Sequence, residues 1–131
     1  MTDAAIDDLI EQIIGCGIEV HRRLGPGLLE SVYRDCLLIE LRIAGLPVIT
    51  ERSVAIRYRD TLIDSRLRLD LLVGDAIVVE LKAVEKLHPV CVSQVITYLK
   101  LTDCPAGLIM NFNVSLLKNG IRRVDHPDRY V

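Results

Sequence analysis

The segment Arg68-Leu-Asp-Leu-Leu-Val-Gly-Asp-Ala-Ile-Val-Val-Glu-Leu-Lys82 carries two carboxylates, Asp70 and Glu80, and an ammonium in otherwise apolar, strand-like arms, with Asp75 in the turn between them. Alternation on both sides of Gly74-Asp75-Ala76 predicts a hairpin with a three-residue loop, in which Val73 faces Ile77 and Asp70 falls opposite Glu80. Side chains alternate across a sheet, so one predicted face holds Leu69, Leu71, Val73, Ile77, Val79 and Leu81, all apolar. The other holds Asp70, Leu72, Val78, Glu80 and Lys82. Two carboxylates brought together away from water repel, and each costs free energy to bury ionised. A divalent cation supplies the missing charge, and hard carboxylate oxygens select magnesium or manganese. Lys82 then stands beside that cation, where it can activate water or stabilise a developing anion. The plainer reading of the same residues is a structural ion pair between Lys82 and one acid at a sheet edge.

The surrounding elements follow from periodicity. Residues 3–24 read as a helix capped by Thr2 or Asp3, with Arg22 and Arg23 in its last turn. Its buried stripe is Ile6, Leu9, Ile10, Ile13, Ile14, Gly17 and Val20. Gly25-Pro26-Gly27 breaks it, and a second helix runs from about Leu28 to Ala44, stopped by Gly45 and Pro47. From Val48 the period changes to two: 48–50 and 54–58 read as strand, Asp60-Thr61 as a turn, 62–73 and 76–83 as the two arms of the acid-bearing hairpin. Pro89 suits the first turn of a helix running to about Leu101, 107–112 reads as a buried strand, and 121–124 as one more short strand. The order is ααβββαβ, with that short strand as an addition, in one α/β domain spanning residues 1–131.

The flanking residues resemble the family named for the motif GxxExxY, which stands here as Gly27-Leu-Leu-Glu30-Ser-Val-Tyr33. The likeness continues through Asp70-Leu-Leu-Val, Val78-Val-Glu-Leu-Lys-Ala83, Gln94-x-x-x-Tyr98-Leu-Lys and Gly107-Leu-Ile-Met-Asn-Phe112. That family is assigned to the PD-(D/E)XK nuclease superfamily. The resemblance implies a restriction-endonuclease-like three-layer core, a mixed central sheet flanked by helices. It implies Asp70 and Glu80 as metal-binding acids, Lys82 as the signature lysine, and Glu30 as an acid from the preceding helix completing the ligand set, with the Leu81 carbonyl beside them. Gln94 joins Asp70, Glu80 and Lys82 among the expected catalytic residues, since Gln94 and Tyr98 match a QxxxY pattern. As i and i+4 neighbours they can face one site. Leu69 stands where the superfamily pattern has proline. Tyr98, Tyr33 and Arg68 are expected to bind nucleic acid or to support the ligands from behind. Tyr33 and Tyr98 read equally well as core rings, Glu30 as a helix-dipole acid, and Gln94 as a plain surface residue.

Function divides into two classes. The first is a nuclease dependent on Mg2+ or Mn2+ that hydrolyses phosphodiesters of nucleic acid, DNA favoured. The alternative is a non-catalytic module that keeps the fold to bind nucleic acid or protein. Net charge is −2 over 131 residues, and the first eleven carry four acids and no base. Charge therefore does not announce a nucleic-acid binder. Arginines do cluster at Arg52, Arg57, Arg59, Arg66 and Arg68, and basic residues at Lys118, Arg122, Arg123 and Arg129, interleaved with acids as on a solvated strand face. Cys16, Cys36, Cys91 and Cys104 form no CxxC pair, against a zinc ribbon or dithiol redox site, and read as reduced core thiols. With an acidic start and no apolar run long enough to cross a bilayer, the expectation is a cytoplasmic protein without membrane contact. Its small size leaves few elements for target recognition and points to non-specific action, a homodimer or a subunit of a larger complex. His21 is expected to be a packed or capping histidine rather than a ligand.

Overall fold

A computed structural model describes residues 1–129. Helices α1 (Asp3–Leu24) and α2 (Glu30–Ile43) precede strands β1 (Val48–Tyr58), β2 (Thr61–Val73) and β3 (Ile77–Lys82). Helix α3 (Val90–Thr102), β4 (Ala106–Asn111), a 3-10 turn at Leu117–Gly120 and β5 (Ile121–Asp125) complete the chain. The sheet has the order β1-β2-β3-β4-β5, with β3 and β4 parallel and the other pairs antiparallel. This is the expected ααβββαβ arrangement with the extra short strand present, a five-stranded mixed sheet flanked by helices in the restriction-endonuclease-like manner. The 3-10 turn was not foreseen, and the β1–β2 turn is centred on Arg59-Asp60 rather than Asp60-Thr61.

Each side of the sheet has its own core. On one, α1 and α2 bury Ile10, Ile13, Tyr33 and Leu37 against Leu71, Val73, Val79, Leu81, Leu108 and Met110. On the other, α3 buries Val95, Tyr98 and Leu99 against Leu72, Val78 and Ile109. Helix α3 lies close to β4 because position 107 is glycine. A Cβ there would sit 2.8 Å from Val95 Cγ1 and 3.1 Å from the Val78 carbonyl oxygen.

One expected placement is wrong, and it bears on the site. Leu69 does not share a face with Leu71 and Val73; it packs with Leu67, Leu72, Tyr98 and Val95 in the α3-side core. The alternation of β2 therefore slips by one residue at Asp70. The slip coincides with an irregularity in β1, where Glu51, between the Thr50↔Leu71 and Arg52↔Leu69 pairs and so across from Asp70, adopts a left-handed backbone with φ 50°. Beyond that point the β1–β2 hairpin turns its apolar side, including Val54, over α3. A second irregularity between Val54 and Ala55 is filled by the Ser65 hydroxyl, which donates to the Val54 carbonyl.

All four cysteines are free thiols, with Cys104 buried and the others half-buried. Burial pushes the Cys16 and Cys104 thiols above their ordinary range, as suits inert packing residues. Among the described residues no helix is long and apolar enough to cross a membrane.

Candidate active site at the fork of β2 and β3

The β2–β3 pairing runs as expected through Val73↔Ile77, Leu72↔Val78 and Leu71↔Val79, and stops there. At the next pair, side chains take over from the backbone ladder. The Leu81 N–H donates to Asp70 Oδ2 at 2.9 Å, and the Asp70 N–H donates to Glu80 Oε1 at 3.2 Å. The two strands thus fork at Asp70 and Glu80, and each carboxylate satisfies an amide that a continuing strand would have satisfied. In a strand the N–H and C=O of one residue leave on the same side. The Leu81 carbonyl therefore points, like its N–H, toward the fork, where the ladder with β2 has ended.

The electrostatics of the fork are those of crowded acids. Burial, then the charge of Asp70, pushes the Glu80 carboxyl up to about 8. Glu30 is also raised, first by burial and then by Asp70, with Lys82 and Arg34 pulling the other way. Tyr98 is raised by burial, then by Glu80 and Asp70. Charges felt from α2, β2, β3 and α3 thus converge on one place. Asp70 is the common member: it acts on Glu80, on Glu30 from α2 and on Tyr98 from α3, while Lys82 acts on Glu30 and Glu80. Lys82 is half-buried and enters none of the ion pairs of the described residues, which lie mainly on α1, β5 and the turn at Arg129. That position is not the edge salt bridge of the plainer reading.

The GxxExxY segment acquires a physical meaning here. Gly25 and Gly27 take left-handed backbone angles of φ 68° and 96°, and the Tyr33 hydroxyl clamps their loop. It donates to the Gly25 carbonyl at 2.6 Å and accepts from the Leu28 N–H at 3.1 Å. The ring is fully buried and stacks on Phe112 with centroids 4.5 Å apart. Of the two roles expected for Tyr33, its burial suits the supporting one and not a nucleic-acid contact. Both hydrogen-bonding capacities of its hydroxyl are used, and no part of it reaches solvent. The clamp lies just ahead of α2, which begins at Glu30, and so places that acid where the charges of Asp70 and Lys82 act on it.

On α3, Gln94 and Tyr98 share a groove of about 270 Å3 with Leu67, Val90, Ser93 and Thr97. Gln94 is exposed at its outer part and Tyr98 is buried at the end nearer the acids. Arg68 is exposed on β2, two residues from Asp70. The other hairpin arginines, Arg52, Arg57, Arg59 and Arg66, are likewise exposed. The C-terminal basic group is different, because Arg123 pairs with Asp7 and Asp125, and Arg129 with Asp3 and Asp125. Those charges are engaged within the fold. A cleft of about 500 Å3 between the end of α1 and residues 115–118 contains none of the fork residues.

One supporting residue escaped the sequence reading. Asn111 is buried at the end of β4, where its side chain accepts from the Val84 N–H and donates to the Val84 carbonyl. With Phe112 N–H donating to the Lys82 carbonyl at 2.9 Å, this fastens the chain just after Lys82. The available signal was an amide at the end of an otherwise apolar buried strand. His21 is packed, as expected, with Nε2 3.1 Å from the Phe112 carbonyl and 2.8 Å from that of Val114.

Among the described residues no group of three or more His, Cys, Asp or Glu side chains stands assembled to hold a metal ion. The expected ligand set Asp70, Glu80 and Glu30 is thus close but not converged. The reason is visible in the hydrogen bonds, which turn Asp70 and Glu80 toward backbone amides. The donor chemistry still fits a hard divalent cation: half-buried carboxylate oxygens, with Glu80 pushed toward its neutral form by burial and by Asp70, next to the Leu81 carbonyl where the ladder with β2 has ended.

Residues 7–124 match the family described as the PD-(D/E)XK nuclease superfamily. No curated protein and no solved structure matches the chain significantly.

Proposed function

The chain belongs to the PD-(D/E)XK nuclease superfamily, and from that premise we propose that it is a metal-dependent nuclease of the GxxExxY group, hydrolysing phosphodiester bonds with DNA favoured over RNA. The observation that carries this reading is the pair of acids at the fork. Glu80 is held protonated to about 8 by burial and by Asp70, an arrangement that costs stability and has no structural use a neutral side chain would not serve better. Asp70, Glu80 and the Leu81 carbonyl, with Glu30 from α2, would hold Mg2+ or Mn2+. A cation bound there supplies Lewis acidity toward a phosphodiester oxygen and offsets charge gained in the transition state.

The chain's own residues do the rest. Lys82, in the field of Glu30 and Glu80, orients the attacking water and donates to oxygens that become more negative. Gln94 and Tyr98 line one groove on α3, and Tyr98 lies in the field of Glu80 and Asp70, so this groove would position the strand to be cut. Arg68 and the neighbouring hairpin arginines meet the phosphate backbone, so binding weakens as salt rises. A single domain over residues 1–131 acting in the cytoplasm is part of the same reading.

The test is cleavage of single- and double-stranded DNA and RNA with Mg2+, Mn2+ or chelator, with Lys82→Ala and Asp70→Asn as controls. Metal-dependent cleavage lost in both variants supports the proposal. Calorimetry showing equal Mn2+ affinity for wild type and Asp70→Asn removes the metal site. Wild type inactive on every substrate, yet still binding nucleic acid or a protein, replaces the nuclease by the non-catalytic module.

A further inference from the structure

Helix α2 is apolar on two faces, although a helix at a protein surface ordinarily needs only one. Tyr33, Leu37 and Leu41 fill the core beneath it. A second row, Leu29, Val32, Cys36, Ile39 and Ile43, has successive spacings of 3, 4, 3 and 4 residues, the spacing of a coiled-coil seam. Among the described residues it is largely uncovered: Leu29 is 73% exposed, Ile39 56% and Ile43 74%, Val32 is exposed as well, and Cys36 is half-buried. Beside the seam, Val20 and Leu24 of α1 join Cys36 and Ile39 around a dent of about 140 Å3.

The charges flanking this seam identify what fits it. Asp35 and Arg42 occupy the same flanking position one heptad apart, both exposed and in no ion pair of the described residues. Glu40 flanks the opposite side. In a parallel pair of α2 helices, Asp35 would face the partner's Glu40, two like charges. In an antiparallel pair with Cys36 against the partner's Ile39, and Val32 against the partner's Ile43, Asp35 lies beside the partner's Arg42. The two-fold axis repeats that contact, so both opposite charges are matched twice. The surface is complementary to itself in one orientation and self-repelling in the other.

We propose that the outer face of α2 is a homodimer interface in which two copies of this chain pack their α2 helices antiparallel through Val32, Cys36, Ile39 and Ile43, held in register by Asp35–Arg42 pairs. The dent between α1 and α2 receives the partner's Ile39. The seam is short, as α2 has 14 residues, so the dimer belongs to the small, weaker class of interfaces. It does not depend on the nuclease reading, because no fork residue takes part.

Sedimentation of the full chain tests it. At about 100 μM, where an interface of this class populates its dimer, wild type is expected to be dimeric. Ile39→Glu is expected to be monomeric with unchanged far-UV circular dichroism and melting. Asp35→Arg sets two arginines together and should raise the dissociation constant about tenfold, while adding Arg42→Asp should bring it back. Oxidising Ile39→Cys should link Cys36 of one chain to position 39 of the other. A wild type that stays monomeric at this concentration overturns the proposal, as does a dimer indifferent to Ile39→Glu. A double charge variant no better than Asp35→Arg, or a wild-type cross-link between two Cys36 residues, overturns the antiparallel register.

Discussion

One hairpin holds two regions that obey different rules. Next to its turn, Leu71, Leu72 and Val73 pair with Val79, Val78 and Ile77 through the backbone, and all six side chains are buried and apolar. One residue further on, Asp70 and Glu80 end the ladder and use carboxylates to satisfy the amides that the strands no longer satisfy. At the turn end, polar groups pair locally and cores fill both sides, so sequence differences there change stability. At the fork the pairing is traded for two acids that the fold alone does not need. On the proposed reading the difference separates what the hairpin contributes to folding from what it would contribute to chemistry, and substitutions should divide the same way.

The largest expected effect is at the fork. Lys82→Ala should lower cleavage by about a hundred- to ten-thousand-fold while melting shifts little, since Lys82 enters no ion pair of the described residues. Turnover at saturating Mn2+ measured beside thermal unfolding checks both halves. Wild-type turnover would remove Lys82 from the chemistry, and a large loss of stability would return it to a structural role.

At the turn end the sign of the division reverses. Leu71→Ala removes a fully buried side chain and should cost about 2–5 kcal/mol, read as a lower urea midpoint. Metal affinity of the molecules that remain folded should stay near that of wild type. Tyr33→Phe is intermediate. It leaves the Gly25 carbonyl and Leu28 N–H without their partner and should cost about 1–3 kcal/mol. Because that clamp lies just ahead of α2, it should also weaken Mn2+ binding through Glu30, which Leu71→Ala should not.

Much of this was legible in the residues. The opposition of Asp70 and Glu80 follows from side-chain period and loop length, both local properties, and Val73↔Ile77 pairs as the loop length requires. The placement of Leu69 was not legible, because the slip at Asp70 coincides with a left-handed Glu51 on another strand and with packing over α3. Tyr33 was ambiguous for a similar reason. Whether its ring faces ligand or core is decided by Phe112, far along the chain, and by a glycine loop whose carbonyl awaits its hydroxyl. Alternation and helical period speak for neighbours in one element, whereas these two outcomes belong to contacts between elements.

The effect most specific to the fork, and the most gradual, is in pH. Glu80 has its carboxyl raised from the ordinary 4.5 to about 8, burial first and Asp70 second. The unfolded chain releases this proton near 4.5 and the folded chain keeps it until about 8. Between those values the folded state binds more protons than the unfolded one, so without metal stability falls as pH rises through that window. One proton limits the slope to about 1.4 kcal/mol per pH unit. Glu80→Gln mimics the neutral acid, so it should remove this contribution and be at least as stable as wild type at pH 7, while losing Mn2+ affinity. Metal added to wild type below pH 8 should expel the proton, which calorimetry in buffers of different ionisation enthalpy counts directly. A melting profile that rises with pH across this window in wild type, or is unchanged by Glu80→Gln, would mean that Glu80 is already ionised in the fold. The fork would then be an ordinary charged strand end, and its contrast with the turn would be one of exposure alone.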